Sequence, residues 1–196
     1  MENKDIRNGI IVGFLVGLLA LPILMNLGIS SGYFLLLPVI FPVLAITGLY
    51  VANYLSRYIK ILFQLSKFSL TGVLNAFIDV GVLSFLLWIT KLNAEKCIYL
   101  YALFKFLSFS CHAINSYFWN KYWTFNKTGR IHGKEFTRFY LVAGIGAIIN
   151  TLVATLLVRF SGIGAEWFIA VLAPIIGILV ASAWDFCGYK FFIFKK

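Results

Sequence analysis

Asp79 and Lys105 are charged residues placed near the middle of long apolar runs, where a charge calls for a reason. Thr71, Asn75 and Asp79 recur every four residues and so share one face of a helix. Lys105, Ser108, His112 and Asn115 follow a three-four-three rhythm and share a face of the next helix. At about 1.5 Å per residue, Asp79 lies roughly 15 Å and Lys105 roughly 12 Å from the outer ends of their runs. An antiparallel hairpin would put the two at similar depth, able to pair. The same count sets Asn75 level with His112. Asn150 adds a polar group near the depth of Asp79, and Asp185, with Ser182, lies near the inner end of the last run. Ionisable groups inside an apolar span mark function by default. Helix-to-helix polar contacts contribute only about 0.6 to 2 kcal/mol. Simple glue therefore suits Asn75, Asn115 and Asn150 as well as function does, whereas Asp79 and Lys105 point to a functional cavity. His112 reads as a hydrogen-bonded core histidine before a proton relay.

The elements that must position these groups are transmembrane helices. The chain is 61% hydrophobic and only 12% charged, half the charged share of an ordinary soluble domain. Six apolar segments can be marked, Gly9 to Leu27, Tyr33 to Tyr54, Phe68 to Ile89, Cys97 to Phe118, Phe139 to Phe160 and Trp167 to Tyr189. Each is long enough to cross the hydrocarbon, and such runs imply helices, which satisfy their own backbone. The first lacks a small-x-small cleavage site and exceeds a normal signal-peptide core, so it reads as a retained span. Gly9, Gly13 and Gly17 give it a smooth face for close packing. Between the second and third spans, Ser56 to Lys67 is either a short interfacial helix or a plain connector.

With the N-terminus in the cytoplasm, thirteen basic residues fall inside, from Lys4 and Arg7 to Lys195 and Lys196. Only Lys91, Lys96 and Arg159 fall outside. That asymmetry supports an even number of spans with both termini cytoplasmic. The expected fold is an all-α polytopic membrane protein of six transmembrane helices. Its last four form a tandem duplicated hairpin. Placing Phe68 on Phe139 also places Lys67 on Arg138, Leu70 on Leu141, Ala76 on Ala147 and Asp79 on Asn150. At the other end, Lys121-Tyr-Trp-Thr-Phe125 matches Lys190-Phe-Phe-Ile-Phe194. Both hairpins start and end inside, so the repeat is parallel in topology.

The net charge of +10 is accounted for by cytoplasmic loops, and no nucleic-acid partner is expected. The stretch from Asn120 to Arg138 interleaves Lys121, Lys127, Arg130, Lys134 and Arg138 with Trp123, Phe125 and His132. It reads as a loop with an aromatic belt at headgroup level, and such cations could also hold a lipid phosphate. Cys97, Cys111 and Cys187 show no ligand spacing and read as apolar fillers. The seven acids form no metal-binding motif and no Gly-rich phosphate loop is present. Neither an enzyme, a cofactor nor a metal is therefore expected.

The stretch from Lys67 to Lys196 resembles the GtrA-like family of small polytopic membrane proteins. The residues carrying the resemblance are Lys67-Phe68 with Gly72, Asp79, Asn115, and Asn120-Lys121-Tyr122-Trp123-Thr124-Phe125. The second half adds Arg138-Phe139, Asn150 and Phe192-Ile193-Phe194. The resemblance implies flipping of a polyprenyl-phosphate-linked sugar, often glucose, across the cytoplasmic membrane for cell-surface polysaccharide synthesis. The polar path would comprise Asp79, Lys105, His112, Asn75 and Asn150, with Asn115, Asn120, Trp123 and Asp185 as further substrate contacts. Lys121, Arg138 and Lys190 would capture the phosphate at the inner leaflet. Similar regions occur attached to polyprenyl-phosphate glycosyltransferases, so a scaffold for such an enzyme is the alternative. A proton-coupled exporter of small cations, with Asp79 as the exchanging carboxylate, comes third. Six thin spans leave little interior, so a sugar-sized cavity could call for a homo-oligomer. Residues 1–66 add two spans that the four-span family pattern lacks.

Overall fold

A computed structural model describes residues 1–26, 32–91, 97–160 and 172–194. The expectations placed on Leu27, Glu95, Lys96, Glu166, Trp167, Lys195 and Lys196 lie outside these residues. The described residues form six α-helices and no strand: α1 (Asn3–Asn26), α2 (Leu37–Leu55), α3 (Leu62–Thr90), α4 (Ile98–Trp119), α5 (Gly133–Phe160) and α6 (Ala173–Gly188). A short 3-10 turn, Gly32–Leu36, leads into α2. Pro38 and Pro174 sit in the first turns of α2 and α6, where a missing N–H leaves no helical bond unmade. Lys91 ends α3 in the left-handed region at φ 48°.

Among the described residues, four segments are long and apolar enough to cross a membrane: Gly32–Leu55, Leu62–Thr90, Gly133–Phe160 and Ala173–Ile193. The 22-residue α4 has the length, but Lys105, His112 and Asn115 interrupt its apolar run. Large apolar side chains such as Val39, Phe85, Trp88, Leu141, Ile148 and Leu179 face outward, as suits helices solvated by lipid tails.

Several helices start earlier than hydropathy alone suggests. α1 takes in Asp5, and α3 begins at Leu62, so the end of the expected Ser56 to Lys67 connector is the first turn of a long helix. Residues 56–61 form no helix and, apart from Ile59, lie in turns. A separate interfacial helix is not formed there, because Ile61 and Leu65 already continue the helical hydrogen bonding.

The chain divides into two compact units, Met1–Lys127 and Thr128–Lys196. In the first, α1 packs on α2 and α3, α2 on α3, and α3 on α4. The α1–α2 seam is built on glycine. A Cβ at Gly13 would stand 2.5 Å from the Pro42 Cα, and one at Gly17 2.6 Å from the Pro38 Cα. At Gly9 it would meet the Leu49 side chain at 2.7 Å. With no solvent difference to drive helices together in lipid, such backbone approach maximises van der Waals contact. Below the seam, Val12, Val16, Leu49, Leu74 and Trp123 form one buried cluster.

The second unit is the α5–α6 hairpin. Here too small residues allow close approach: a Cβ at Gly177 would lie 2.7 Å from the Asn150 backbone oxygen, and one at Gly188 2.6 Å from Val142 Cγ1.

Each hairpin ends in a π-helical turn, Asn120–Thr124 after α4 and Tyr189–Ile193 after α6. The Phe125 N–H donates to the Asn120 carbonyl at 2.9 Å and the Phe194 N–H to the Tyr189 carbonyl at 2.7 Å. These wide turns fall at the offset that pairs Lys121 with Lys190. The starts of α3 and α5, Leu62 and Gly133, fall at the offset that pairs Phe68 with Phe139.

Candidate functional site

α3 carries a polar line at four-residue spacing, Lys67, Thr71, Asn75 and Asp79, of which the first three are buried. It spans roughly 18 Å of helix at 1.5 Å per residue. At the deep end, Lys105 on α4 donates to Asp79 Oδ2 at 2.5 Å, and the Ser108 hydroxyl donates to Asp79 Oδ1 at 2.6 Å. The carboxylate thus has a counter-charge on one oxygen and a hydroxyl on the other. The Asp79 side chain is 21% exposed and that of Lys105 48%, so the pair opens at the surface of its unit while Ser108 beneath it is fully buried.

One level nearer the start of α3, the Asn115 side-chain amide donates to Asn75 Oδ1 at 2.7 Å. Asn115 lies three residues beyond His112, the residue that the sequence count sets level with Asn75. His112 is half-buried, with its ring 5.6 Å from that of Phe109. Thr71 donates back to the Lys67 carbonyl at 3.0 Å, keeping its hydroxyl satisfied within the helix.

At the other end of the line stands a buried cluster that the sequence reading missed. Lys67 Nζ lies 2.5 Å from Asp5 Oδ1, both side chains being about 5% exposed. Trp123 Nε1 donates to the same oxygen at 3.1 Å, and the Glu2 backbone N–H donates to Oδ2 at 3.1 Å. Burial alone would raise the Asp5 carboxyl. The hydrogen bonds from Lys67, Glu2 and Trp123, with the Lys67 charge, outweigh it and hold the carboxyl below its ordinary 3.8. Lys4 adds a bond to the Tyr122 carbonyl at 2.8 Å and Gln64 one to the Thr124 carbonyl at 3.2 Å. Nothing in the sequence sets Asp5 apart from the other acids. Lys67 and Trp123, its partners, both lie in the motifs singled out above.

The stretch expected as a loop from Asn120 is not one at its start. Asn120, Lys121, Trp123 and Thr124 are all at most 2% exposed, in the π-helical turn. An i→i+5 turn accommodates an extra residue, so the side chains after it leave the 3.6-residue period and point inward. Lys121 Nζ donates to the Tyr117 hydroxyl at 3.2 Å and lies over the Tyr117 and Tyr122 rings. Asn120 donates to the Ser116 carbonyl and hydroxyl, while its Oδ1 is buried with no hydrogen-bond partner among the described residues, as is the Thr124 hydroxyl.

In the second unit, Arg138 is exposed and lines a cavity of about 240 Å³ with His132, Lys134, Glu135, Phe192 and Ile193. Lys190 lies 5.5 Å from the Phe186 ring centroid and 5.7 Å from that of Phe191. Asp185 turns toward α5, where a Cβ at Gly146 would meet its Cγ at 2.9 Å; its Oδ1 is buried without a hydrogen-bond partner. Asn150 packs over Gly177. No group of three or more His, Cys, Asp or Glu side chains suited to a metal gathers among the described residues.

The GtrA/DPMS transmembrane-domain family matches residues 67–194. The chain belongs to that family. Its GtrA/DPMS region takes in α3 to α6 and both π-helical turns, and begins at Lys67, the partner of Asp5. Among similar proteins is an uncharacterized membrane protein, YngA, of Bacillus subtilis (strain 168). It is 32% identical over 133 residues, which cover 66% of this chain and 78% of that protein. No solved structure matches the chain. As a GtrA/DPMS protein with several long apolar helices, the chain is a multi-pass membrane protein.

Proposed function

We propose that the protein moves a polyprenyl-phosphate-linked sugar, with glucose as the first candidate, from the inner to the outer leaflet of the cytoplasmic membrane. The observation that carries this reading is the polar line along α3, which continues from Lys67 through Asn75 and Asn115 to the Asp79–Lys105 pair inside otherwise apolar helices. A phosphosugar cannot cross hydrocarbon without hydrogen-bond and charge partners along its way. Asp79, Lys105 and Ser108 offer such partners at mid-span, while the prenyl tail stays in lipid. All six helices span in this reading, with both termini cytoplasmic, as the thirteen-to-three distribution of basic residues favours. Residues 67–196 form the translocating domain and residues 1–66 its accessory pair.

The competing exporter fits less well. The basic residues that this reading sets at the cytoplasmic face suit an anionic lipid and repel a small cation.

The test is leaflet exposure of a labelled polyprenyl-phosphate sugar in vesicles containing the purified protein alone. Transfer faster than in empty vesicles, lost in folded Asp79→Ala or Lys105→Ala protein, establishes the flippase. No acceleration beside an active control flippase, with co-purification of a polyprenyl-phosphate glycosyltransferase, establishes the scaffold instead.

A further inference from the structure

The two ends of the sequence repeat differ in what fills them. In the first, the Asp5 carboxylate sits between Lys67 and Trp123. Phe63 stacks under the same lysine, its ring centroid 4.5 Å from Nζ, and Gln64 bonds Thr124 beside it. At the offsets marked by the helix starts and the π-helical turns, these five positions correspond to Arg138, Phe192, Lys134, Glu135 and Ile193. Those five residues, with His132, line the cavity of about 240 Å³ in the second unit. The first repeat sets Asp5, a carboxylate from outside the repeat, between its cation and its aromatic residue; among the described residues, the carboxylate lining the second is Glu135 of the repeat itself.

We infer that this cavity is a binding site for a phosphate group, with Arg138 as the anchoring cation and Lys134 and His132 as secondary donors. Asp5 is the chain's own stand-in for that anion in the first repeat. The two sites share a cation from the first turns of a helix and an aromatic residue from a π-helical turn. Arginine in place of lysine adds a fork of donors matched to phosphate oxygens. The lining has two fixed positive charges against the one negative charge of Glu135, so an anion gains there. A monophosphate or phosphodiester on a lipid fits, with the headgroup in the cavity and the chain in the bilayer. This assignment rests on the flippase reading for its biological ligand, but its chemistry stands on the cavity itself.

The experiment uses the full chain in nanodiscs of zwitterionic lipid and measures binding of a polyprenyl monophosphate, of phosphatidylglycerol and of inorganic phosphate. Saturable polyprenyl-phosphate binding is expected, weakened at least tenfold in Arg138→Gln, kept within about threefold in Arg138→Lys, and tightened in Glu135→Gln. Stronger binding of the polyprenyl phosphate than of phosphatidylglycerol identifies the transported lipid as the ligand. Equal binding of both identifies membrane headgroups. Either upholds the phosphate site. Binding that is unchanged in Arg138→Gln, or absent in the wild type for all three probes, overturns it. Wild-type protein that flips without Arg138-dependent binding would retain the flippase and lose this site. Arg138-dependent binding without flipping would do the reverse.

Discussion

Lys67 of α3 and Asp5 of α1 meet at 2.5 Å in a setting where their side chains are 6% and 5% exposed. The pair ties α1, which precedes the region shared with the GtrA/DPMS family, to that region's first residue. Trp123 joins it from the turn that ends α4. Three segments are thus held by one carboxylate.

Removing that carboxylate leaves a buried ammonium without its counter-charge. Asp5→Ala is expected to destabilise the protein by about 3–5 kcal/mol, the range for breaking a buried ion pair from one side. Lys67→Met should cost less than Asp5→Ala, since Trp123 and the Glu2 N–H still satisfy the carboxylate. Thermal unfolding in detergent, followed by circular dichroism, checks both. Equal melting temperatures in Asp5→Ala and the wild type would remove the anchoring role.

The same carboxyl makes stability depend on pH. Its value in the folded protein lies below the ordinary 3.8. Its contribution is therefore fully present above 3.8 and is lost as pH falls through the depressed folded value. The melting temperature of the wild type should drop more steeply than that of Asp5→Asn in acid below pH 3.8, the two curves converging at the lowest pH.

Along the α1–α2 seam the expectation is steric. Gly13→Leu drives a side chain into the Pro42 backbone, and an overpacked site costs about 1–3 kcal/mol. Gly48, also on α2, has no heavy atom within 4 Å of a built Cβ. Gly48→Ala should be neutral or slightly stabilising, because alanine is the better helix former. Matched melting curves of the two variants distinguish a packed seam from a loose one.

For the deep pair, charge matters differently for folding and for transport. Asp79→Asn and Lys105→Gln should each lower flipping in the vesicle assay at least tenfold. The exchange Asp79→Lys with Lys105→Asp should recover the melting temperature lost by the single Asp79→Lys change. It should not recover transport, because the substrate would meet the charges in reversed order. Transport restored by the exchange would reduce the pair to a structural ion bridge.

Much of this was legible in the sequence. The Asp79–Lys105 contact follows from depth counting alone, since both runs are regular α-helices and the error in rise over ten residues is small. Depth counting sets Asn75 level with His112 but does not say which side chain on α4 reaches it, and Asn115, three residues on, makes the bond. The α1 glycines were readable because four-residue spacing of the smallest residue leaves a groove wherever another helix lies. Trp123 and Lys121 could not be placed, since hydropathy assumes an α or loop register and a π-helical turn is neither. Asp5 was hidden for another reason. A charged residue in a basic flank looks solvated until a lysine from a distant helix is seen to cover it.

The two π-helical turns bear on how the chain can be cut and spliced. Each hairpin closes with a hydrogen bond contained in six residues, Asn120 to Phe125 and Tyr189 to Phe194, and in the first the Lys127 N–H adds a bond to the Lys121 carbonyl at 2.8 Å. The boundary between the two units, after Lys127, is the place where an inserted reporter would leave both turns whole. A single-residue deletion inside either turn would instead rotate every following side chain by about 100°, turning Trp123 or Phe192 out of its place while leaving the composition almost unchanged.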